Sequence, residues 1–88
     1  MLFMVIEKFR PGNTKLVGER FKTKGRMMPE GVVYVASWME SNGASCYQIM
    51  ESDSRELLDI WISRWSDLVD FEVIPVLSSS DYWAKPAE

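Results

Sequence analysis

The side chains of this chain that could act as acids, bases or nucleophiles include no histidine, because none is present among its 88 residues. That absence removes the commonest general base, a Ser-His-Asp triad and a haem held by a proximal histidine. The lone cysteine, Cys46, has no histidine to activate its thiol and is expected to pack. The sequence therefore predicts no cofactor and no metal site, and it leaves open whether the protein is an enzyme.

Three glutamates near the ends of predicted strands are the remaining acid-base candidates. Glu7 and Glu72 approach the same end of the predicted sheet, where a carboxylate pair can transfer protons or hold a hard cation. Successive strand residues alternate between the two faces, so a solvated rim of the sheet is the favoured interpretation. Glu51 is expected at the opposite rim, in an ion pair with Arg26.

The first two elements follow from apolar patterning. Residues 2 to 9 form an unbroken apolar run rich in β-formers, which predicts a strand at the centre of its sheet. Asn13 or Thr14 caps an amphipathic helix that ends at the proline before the next strand. Gly18 and Gly25 each weaken this helix by about 1 kcal/mol relative to Ala, and they indicate a close approach to the sheet or an early C-cap at Gly25.

Residues 32 to 40 and 45 to 51 are predicted to form a hairpin around Asn42-Gly43, a pair that favours a type I′ turn. In that register the side chains of Trp38, Tyr47, Ala36 and Ile49 share one face of the hairpin, and the middle of that face is wholly apolar. We therefore assign this face to the side of the sheet that the helices cover. The opposite set is then predicted to line the helix-free face, and it comprises Val35, Ser37, Met39, Cys46, Gln48 and Met50. A slip of one residue would exchange the two faces and move Trp38 to the other side.

The second helix and the fourth strand complete one domain. Asp53 is predicted to cap a helix whose apolar stripe includes Trp61 and Trp65. Pro75 lacks a backbone donor, which places the last strand at an edge. The order βαββαβ predicts an α+β, ferredoxin-like domain over residues 1–78, with an antiparallel sheet in the order 4-1-3-2 and both helices on one face. Residues 79–88 are predicted to be a C-terminal tail.

Composition bears on the oligomeric state and the location of this domain. Apolar residues make up 47% of the chain, a high content for so small an interior, so a homodimer is expected to cover the helix-free face. The first apolar run is too short to span a membrane, and a single cysteine with no secretory leader favours a cytoplasmic location.

Nucleic-acid binding is disfavoured, although RNA-recognition domains share the βαββαβ order. Seven of the ten Lys and Arg residues lie between residues 8 and 26, but the net charge of −3 opposes binding to nucleic acid. The third strand, ASCYQIME, carries one aromatic residue and lacks the glycine and basic residues of the RNA-binding pattern. The basic first helix is expected to complement acidic segments of the protein itself.

Several segments together resemble a known family. The opening LFMVIEKF, the stretches GRMMPEGVVYVASW and CYQIMESD, and the closing WSDLVDFEVIPVL are similar to domain-of-unknown-function family 3303, over about residues 1 to 78. This family lies within the dimeric α/β-barrel superfamily. The resemblance implies two ferredoxin-like subunits packed sheet to sheet around an interior that often holds a small ligand. It implies no particular reaction, because members of the superfamily differ widely in activity.

Three hypotheses follow for the function. The first is a homodimer that binds a small apolar molecule between its sheets, with Ser37 and Gln48 as the polar contacts. The second is a cofactor-independent enzyme of the monooxygenase or isomerase kind that uses the same cavity. The superfamily's monooxygenases typically have Trp and Asn in their pockets, whereas both asparagines here fall in turns. The third is a purely structural dimer with a filled barrel. The candidate ligand-binding residues are Ser37, Gln48, Val35, Met39, Met50, Cys46 and Trp38.

Overall fold

The computed structural model describes residues 1–84 of the chain. Its elements are β1 (Leu2–Phe9), α1 (Thr14–Lys24), β2 (Val32–Met39), β3 (Ser45–Ser52), α2 (Arg55–Ser63), β4 (Val69–Val76) and α3 (Ser79–Trp83). The predicted βαββαβ order is confirmed. The predicted tail begins with the short helix α3, and residues 85–88 lie outside the described part. No helix within residues 1–84 is long and apolar enough to cross a membrane.

The four strands form one antiparallel sheet in the order β2-β3-β1-β4, which is the predicted topology. β1 lies between two neighbours, as its continuous apolar run requires. β4 lies at an edge, where Pro75 pairs with Phe3. Both helices cover the same face, and the core between them and the sheet joins Phe3, Val5, Val32 and Met50 to Leu58, Trp61 and Trp65.

The helix boundaries refine the predicted caps. α1 ends at Gly25, whose φ of +66° is in the region that favours glycine, so the early C-cap is the correct alternative. Ser54, and not Asp53, caps α2, because its side-chain oxygen accepts a hydrogen bond from the Leu57 backbone N–H at 3.2 Å. The hairpin turn also differs from the predicted type I′ turn, which needs a positive φ at both Asn42 and Gly43. Only Gly43 has a positive φ, and its N–H donates to the Glu40 carbonyl oxygen at 2.8 Å.

The predicted hairpin register is correct from Met39 opposite Cys46 to Ala36 opposite Ile49, but it then shifts. A bulge between Tyr34 and Ala36 places Tyr34 opposite Met50, whereas an unbroken ladder would have placed it opposite Glu51. The bulge leaves Val35 exposed outside the regular alternation.

The predicted assignment of faces is wrong. Trp38, Ala36, Tyr47 and Ile49 lie on the helix-free face with Met4 and Ile6, as the pairing of β2, β3 and β1 requires. Five of the side chains that were predicted to line the helix-free face instead point toward the helices. They are Ser37, Met39, Cys46, Gln48 and Met50. The apolar middle of the hairpin gave a false signal because the helix-free face is itself apolar, so apolarity does not distinguish the two sides.

Candidate functional site between the sheet and the first helix

A cavity of about 330 Å³ lies between the sheet and α1. The sheet supplies its floor, α1 covers it, and two side chains of the α2 region close one side. The lining residues are Glu7, Phe9, Thr14, Val17, Gly18, Phe21, Arg26, Ser37, Met39, Cys46, Gln48, Trp61 and Trp65. Phe21 and Met39 are exposed, which places the mouth of the cavity between α1 and the end of β2.

The cavity exists because α1 packs loosely. α1 has no fully buried residue, whereas α2 buries Leu58 and Trp61. A Cβ atom placed on Gly18 would have no atom within 4 Å, so the expected close approach of this glycine to the sheet is wrong. A well-packed interior has few voids larger than a water molecule, so a space of this size under one helix is a distinct feature of the fold.

Glu7 lies on the cavity floor with only 9% of its surface exposed. β1 places it there because it shares a face with Phe3 and Val5, two residues of the core. Burial raises the pKa of the Glu7 carboxyl from 4.5 to about 7, although hydrogen bonding to Gln48 and the charge of Arg26 oppose that change. The protein therefore holds a carboxyl group that exchanges its proton near neutral pH.

Cys46 is the cross-strand neighbour of Glu7 and also lines the cavity. Burial and the nearby Glu7 carboxylate raise the pKa of its thiol from 9.0 to about 11. Nucleophilic cysteines are thiolates, so this side chain is a neutral wall of the cavity at physiological pH. The neighbouring Glu7 carboxylate thus disfavours the thiolate form of Cys46.

Arg26 brings a positive charge to the cavity from the loop after α1. Its guanidinium carbon lies 3.6 Å from the Tyr34 ring centroid and 5.1 Å from that of Phe21. The Arg26 carbonyl oxygen accepts hydrogen bonds from the indole N–H groups of Trp61 and Trp65, both at 2.9 Å. The loop is therefore fixed through its backbone, and the side chain is fixed by aromatic stacking.

The expected ion pair between Arg26 and Glu51 is wrong. Glu51 is exposed on the helix-free face, whereas Arg26 stacks on Tyr34 on the opposite face. The three ion pairs formed within residues 1–84 do not involve Arg26. The disfavoured alternative of a Glu7–Glu72 carboxylate pair is excluded too, because the β1–β4 register places Glu7 opposite Phe71 and leaves Glu72 on the other face.

Two neutral polar side chains complete the cavity. Gln48 is buried beside Glu7, and Ser37 pairs with Gln48 across the β2–β3 ladder. The Ser37 hydroxyl lies 2.7 Å from the Tyr34 hydroxyl, so the ring that stacks under Arg26 is also held at its far end. Acid, cation and amide groups thus converge on one small, largely apolar space. Within residues 1–84, no three His, Cys, Asp or Glu side chains cluster as a metal ion would require.

The structure brings together four of the seven predicted ligand-binding residues. Ser37, Met39, Cys46 and Gln48 line the cavity, although it lies under a helix and was predicted to lie between two sheets. The other three residues, Met50, Val35 and Trp38, do not line it, since Met50 is buried in the core and Val35 and Trp38 are exposed.

Sequence reasoning missed the charged residues of the site. It placed Glu7 at a solvated rim and Arg26 in a rim ion pair. The alternation of Phe3, Val5 and Glu7 along β1 does place the carboxyl on the core face, once that face is known. Arg26 lies in a loop with no periodic pattern, so no comparable signal existed for it.

Comparisons with known proteins support the fold and identify the family. A family model described as "Domain of unknown function (DUF3303)" matches residues 1–87. The chain belongs to this DUF3303 family. The match extends beyond the resemblance seen in residues 1 to 78 and includes α3. No curated protein sequence matches the chain.

A solved structure supports the ferredoxin-like fold of this DUF3303 chain. Described as "Structure of Rv0793 from Mycobacterium tuberculosis", it aligns with a TM-score of 0.53 and 16% sequence identity. The alignment covers 91% of this chain and 99% of that one. At this identity the likeness concerns the fold alone.

Proposed function

We propose that this DUF3303 protein binds a small, mostly apolar organic molecule in the cavity between its sheet and α1. The observation that carries the proposal is the Glu7 carboxyl, which is buried in an apolar-walled space without a direct ion pair among the described residues. A buried carboxyl without such a partner is costly, and a ligand with a polar group would offset that cost.

The size and walls of the cavity favour a compact, flat ligand. Its volume of about 330 Å³ is near the lower end of the range of roughly 300–1,000 Å³ for ligand pockets. Phe9, Phe21, Trp61 and Trp65 give it aromatic walls, and its polar side chains are those of the floor, Arg26 and Thr14 of α1. We therefore expect a single ring with one or two oxygen substituents. A cavity under α1 replaces the inter-sheet cavity as the proposed site.

A filled-cavity variant tests this proposal. We would titrate 4-nitrophenol and a panel of neutral monocyclic ketones into isotopically labelled protein and follow amide chemical shifts by NMR. Gly18→Leu places a side chain into the open space beside Gly18 and should abolish binding. Glu19→Leu changes the adjacent exposed residue, which does not line the cavity, and should bind as the wild type does. Equal binding by both variants, or no binding by the wild type, would contradict the proposal.

Gln48→Leu provides a second variant at the polar floor of the site. The two side chains have similar size, so the cavity keeps its volume while it loses one hydrogen-bonding amide. We expect weaker binding of oxygen-bearing compounds, by about 10-fold for one lost hydrogen bond. Unchanged affinity would remove Gln48 from the site.

We further propose that the protein is a homodimer that pairs through its helix-free face. The register gives one row across this face that is wholly apolar, with Ala36, Ile49, Met4 and Ile74 as cross-strand neighbours. Trp38 continues the apolar surface and is 60% exposed in the single chain. Contiguous apolar surface of this kind is typical of interfaces, and in a two-fold dimer the row of one copy would cover the same row of the other.

Analytical ultracentrifugation of matched variants tests the dimer. Ile74→Glu places a charge in the apolar row at a residue that is 42% exposed, so the single chain should still fold. Leu16→Glu makes the same change on α1, on the helix-covered side, at a residue that is 47% exposed. We expect Ile74→Glu to sediment as a monomer and Leu16→Glu as a dimer. A monomeric wild type, or a dimer unaffected by Ile74→Glu, would rule out this interface.

A further inference from the structure

Glu7 and Arg26 face the same cavity but form no direct ion pair with each other. We propose that the cavity is an active site in which Glu7 moves a proton at a carbon atom next to a carbonyl group, while Arg26 stabilises the oxyanion that forms. The substrate class is a small, neutral, monocyclic ketone or enone. This inference rests on the proposed ligand cavity and assigns it a reaction.

Glu7 has the position and the environment of a general base. Its carboxyl lies on the cavity floor with Cys46 beside it and Phe9 two residues along the same face of β1. Its pKa of about 7 is close to physiological pH. At that pH a large fraction of the carboxyl is ionised, and the carboxylate is still basic enough to accept a proton from the substrate. The charged and titratable groups that act on it are Arg26 from the α1–β2 loop and Cys46 from β3. The covering helix α1 contributes only Thr14, Val17, Gly18 and Phe21 to the cavity lining.

Arg26 has the position and rigidity of an oxyanion-stabilising group. Stacking on Tyr34 fixes the plane of the guanidinium, and the edge N–H groups of a stacked guanidinium remain available as donors. The two indole N–H groups that bind the Arg26 carbonyl oxygen hold the backbone in place. A fixed cation in an apolar site stabilises developing negative charge without reorganisation, which is the largest single contribution in many enzymes.

The reaction needs no redox partner or cofactor. The Glu7 carboxylate removes a proton from the carbon next to the carbonyl, and the C–H electron pair forms a carbon–carbon double bond. The carbonyl π pair moves onto oxygen, giving an enolate that faces Arg26. For a β,γ-unsaturated ketone, the protonated Glu7 then returns the proton at the far carbon of the dienolate, and the double bond becomes conjugated with the carbonyl. Atoms and electrons balance, and Glu7 returns to its starting state.

The charge of the site restricts the substrate to neutral molecules. Ionised Glu7 would repel a carboxylate substrate in the same desolvated space, whereas a neutral carbonyl compound becomes anionic only as Glu7 becomes neutral. One negative charge thus moves between Glu7 and the substrate oxygen, and Arg26 balances it in both states. The small, aromatic-walled space favours one ring over extended chains.

The proton-transfer step is tested with 3-cyclohexen-1-one, whose conversion to 2-cyclohexen-1-one is followed by ultraviolet absorbance. Glu7→Gln should lower kcat/KM by at least about 100-fold, the usual contribution of a general base. Arg26→Met should lower it by about 10- to 100-fold, mainly through kcat. Lys24→Met removes a nearby exposed charge that does not line the cavity, and it should leave the rate unchanged.

Binding of 4-nitrophenol, measured by NMR on the same variants, separates the two proposals. A wild-type protein that binds the phenol but isomerises the ketone no faster than Glu7→Gln would overturn the reaction and leave the binding cavity standing. A protein that binds no probe would overturn both. Rate loss in Glu7→Gln with retained phenol binding would support the assignment of Glu7 as the base. The pH profile should rise through about 7, as ionised Glu7 accumulates.

Discussion

Glu7 lies directly across the β1–β3 ladder from Cys46, and both side chains point toward α1. The pair places two acids in one desolvated position. Burial disfavours the charged form of each. The Glu7 carboxylate also disfavours the Cys46 thiolate, whereas the hydrogen bond from the Cys46 thiol partly offsets the rise in the pKa of Glu7. The carboxyl therefore titrates near neutrality and the thiol well above it, and both effects can be measured in solution.

Glu7→Gln should change how stability depends on pH. The folded pKa of Glu7, about 7, is above its unfolded value of 4.5, so its favourable contribution is complete below about pH 4.5 and is lost as the pH rises through 7. At pH 8 we expect Glu7→Gln to be more stable than the wild type by up to about 3 kcal/mol, and at pH 4 the two should be similar.

Urea unfolding at both pH values measures this difference. Ser37→Ala serves as the control, since it changes the cavity without removing an ionisable group, and it should keep the pH dependence of the wild type. A Glu7→Gln protein whose stability falls between pH 4 and pH 8 as steeply as the wild type would show that Glu7 is not responsible.

Cys46 should alkylate slowly, and faster when Glu7 is neutralised. A thiol pKa of about 11 in place of 9.0 lowers the thiolate fraction at pH 8 by about 100-fold. Glu7→Gln removes the charge that helps to raise this pKa, so its reaction with iodoacetamide should be faster. Intact-mass measurements over time give both rates, and identical rates in the two proteins would contradict the electrostatic link.

The topology of this domain was predictable because each element carries its own signal. The continuous apolar run of β1 indicated a central strand, and Pro75 indicated an edge, so the strand order followed from chain connectivity. The face assignment failed because the helix-free face is itself apolar, so apolarity did not distinguish the two sides. Separately, a bulge at Val35 shifts the predicted register beyond Ala36. A bulge inserts one extra residue and has no characteristic sequence, so the alternation of side chains in the sequence predicts a continuous strand with no shift in register.

The site was only partly predictable, because some of its residues are positioned by contacts between segments that are distant in sequence. Gln48 and Ser37 were found because polar residues in an apolar strand stand out. The position of Arg26 depends on stacking against Tyr34 and on two indole hydrogen bonds that join segments distant in sequence. The space under α1 depends on how loosely that helix packs, which neither periodicity nor composition specifies.

The two glycines of the first helix region should respond in opposite ways to the same substitution. Gly18→Ala adds a methyl group to a helix interior with open space around it, and should stabilise the protein by about 1 kcal/mol. Gly25→Ala should destabilise it by about 1–3 kcal/mol, because φ +66° and ψ −155° define a conformation that is essentially restricted to glycine. Thermal and urea unfolding measure both, and a Gly18→Ala protein less stable than the wild type would mean that α1 packs more tightly on the sheet than the open cavity implies.

The hydrogen bonds from Trp61 and Trp65 to one carbonyl oxygen should be strongly coupled. In Trp61→Phe or Trp65→Phe the Arg26 carbonyl keeps one indole donor, so each change should cost about 1 kcal/mol of hydrogen-bond energy besides lost packing. The double variant leaves that carbonyl without either donor, which should add about 1–3 kcal/mol beyond the sum of the single changes. Urea unfolding of the four proteins gives the coupling energy directly. Additivity within about 0.5 kcal/mol would show that the two indoles act independently, and that the loop which carries Arg26 is held by other contacts.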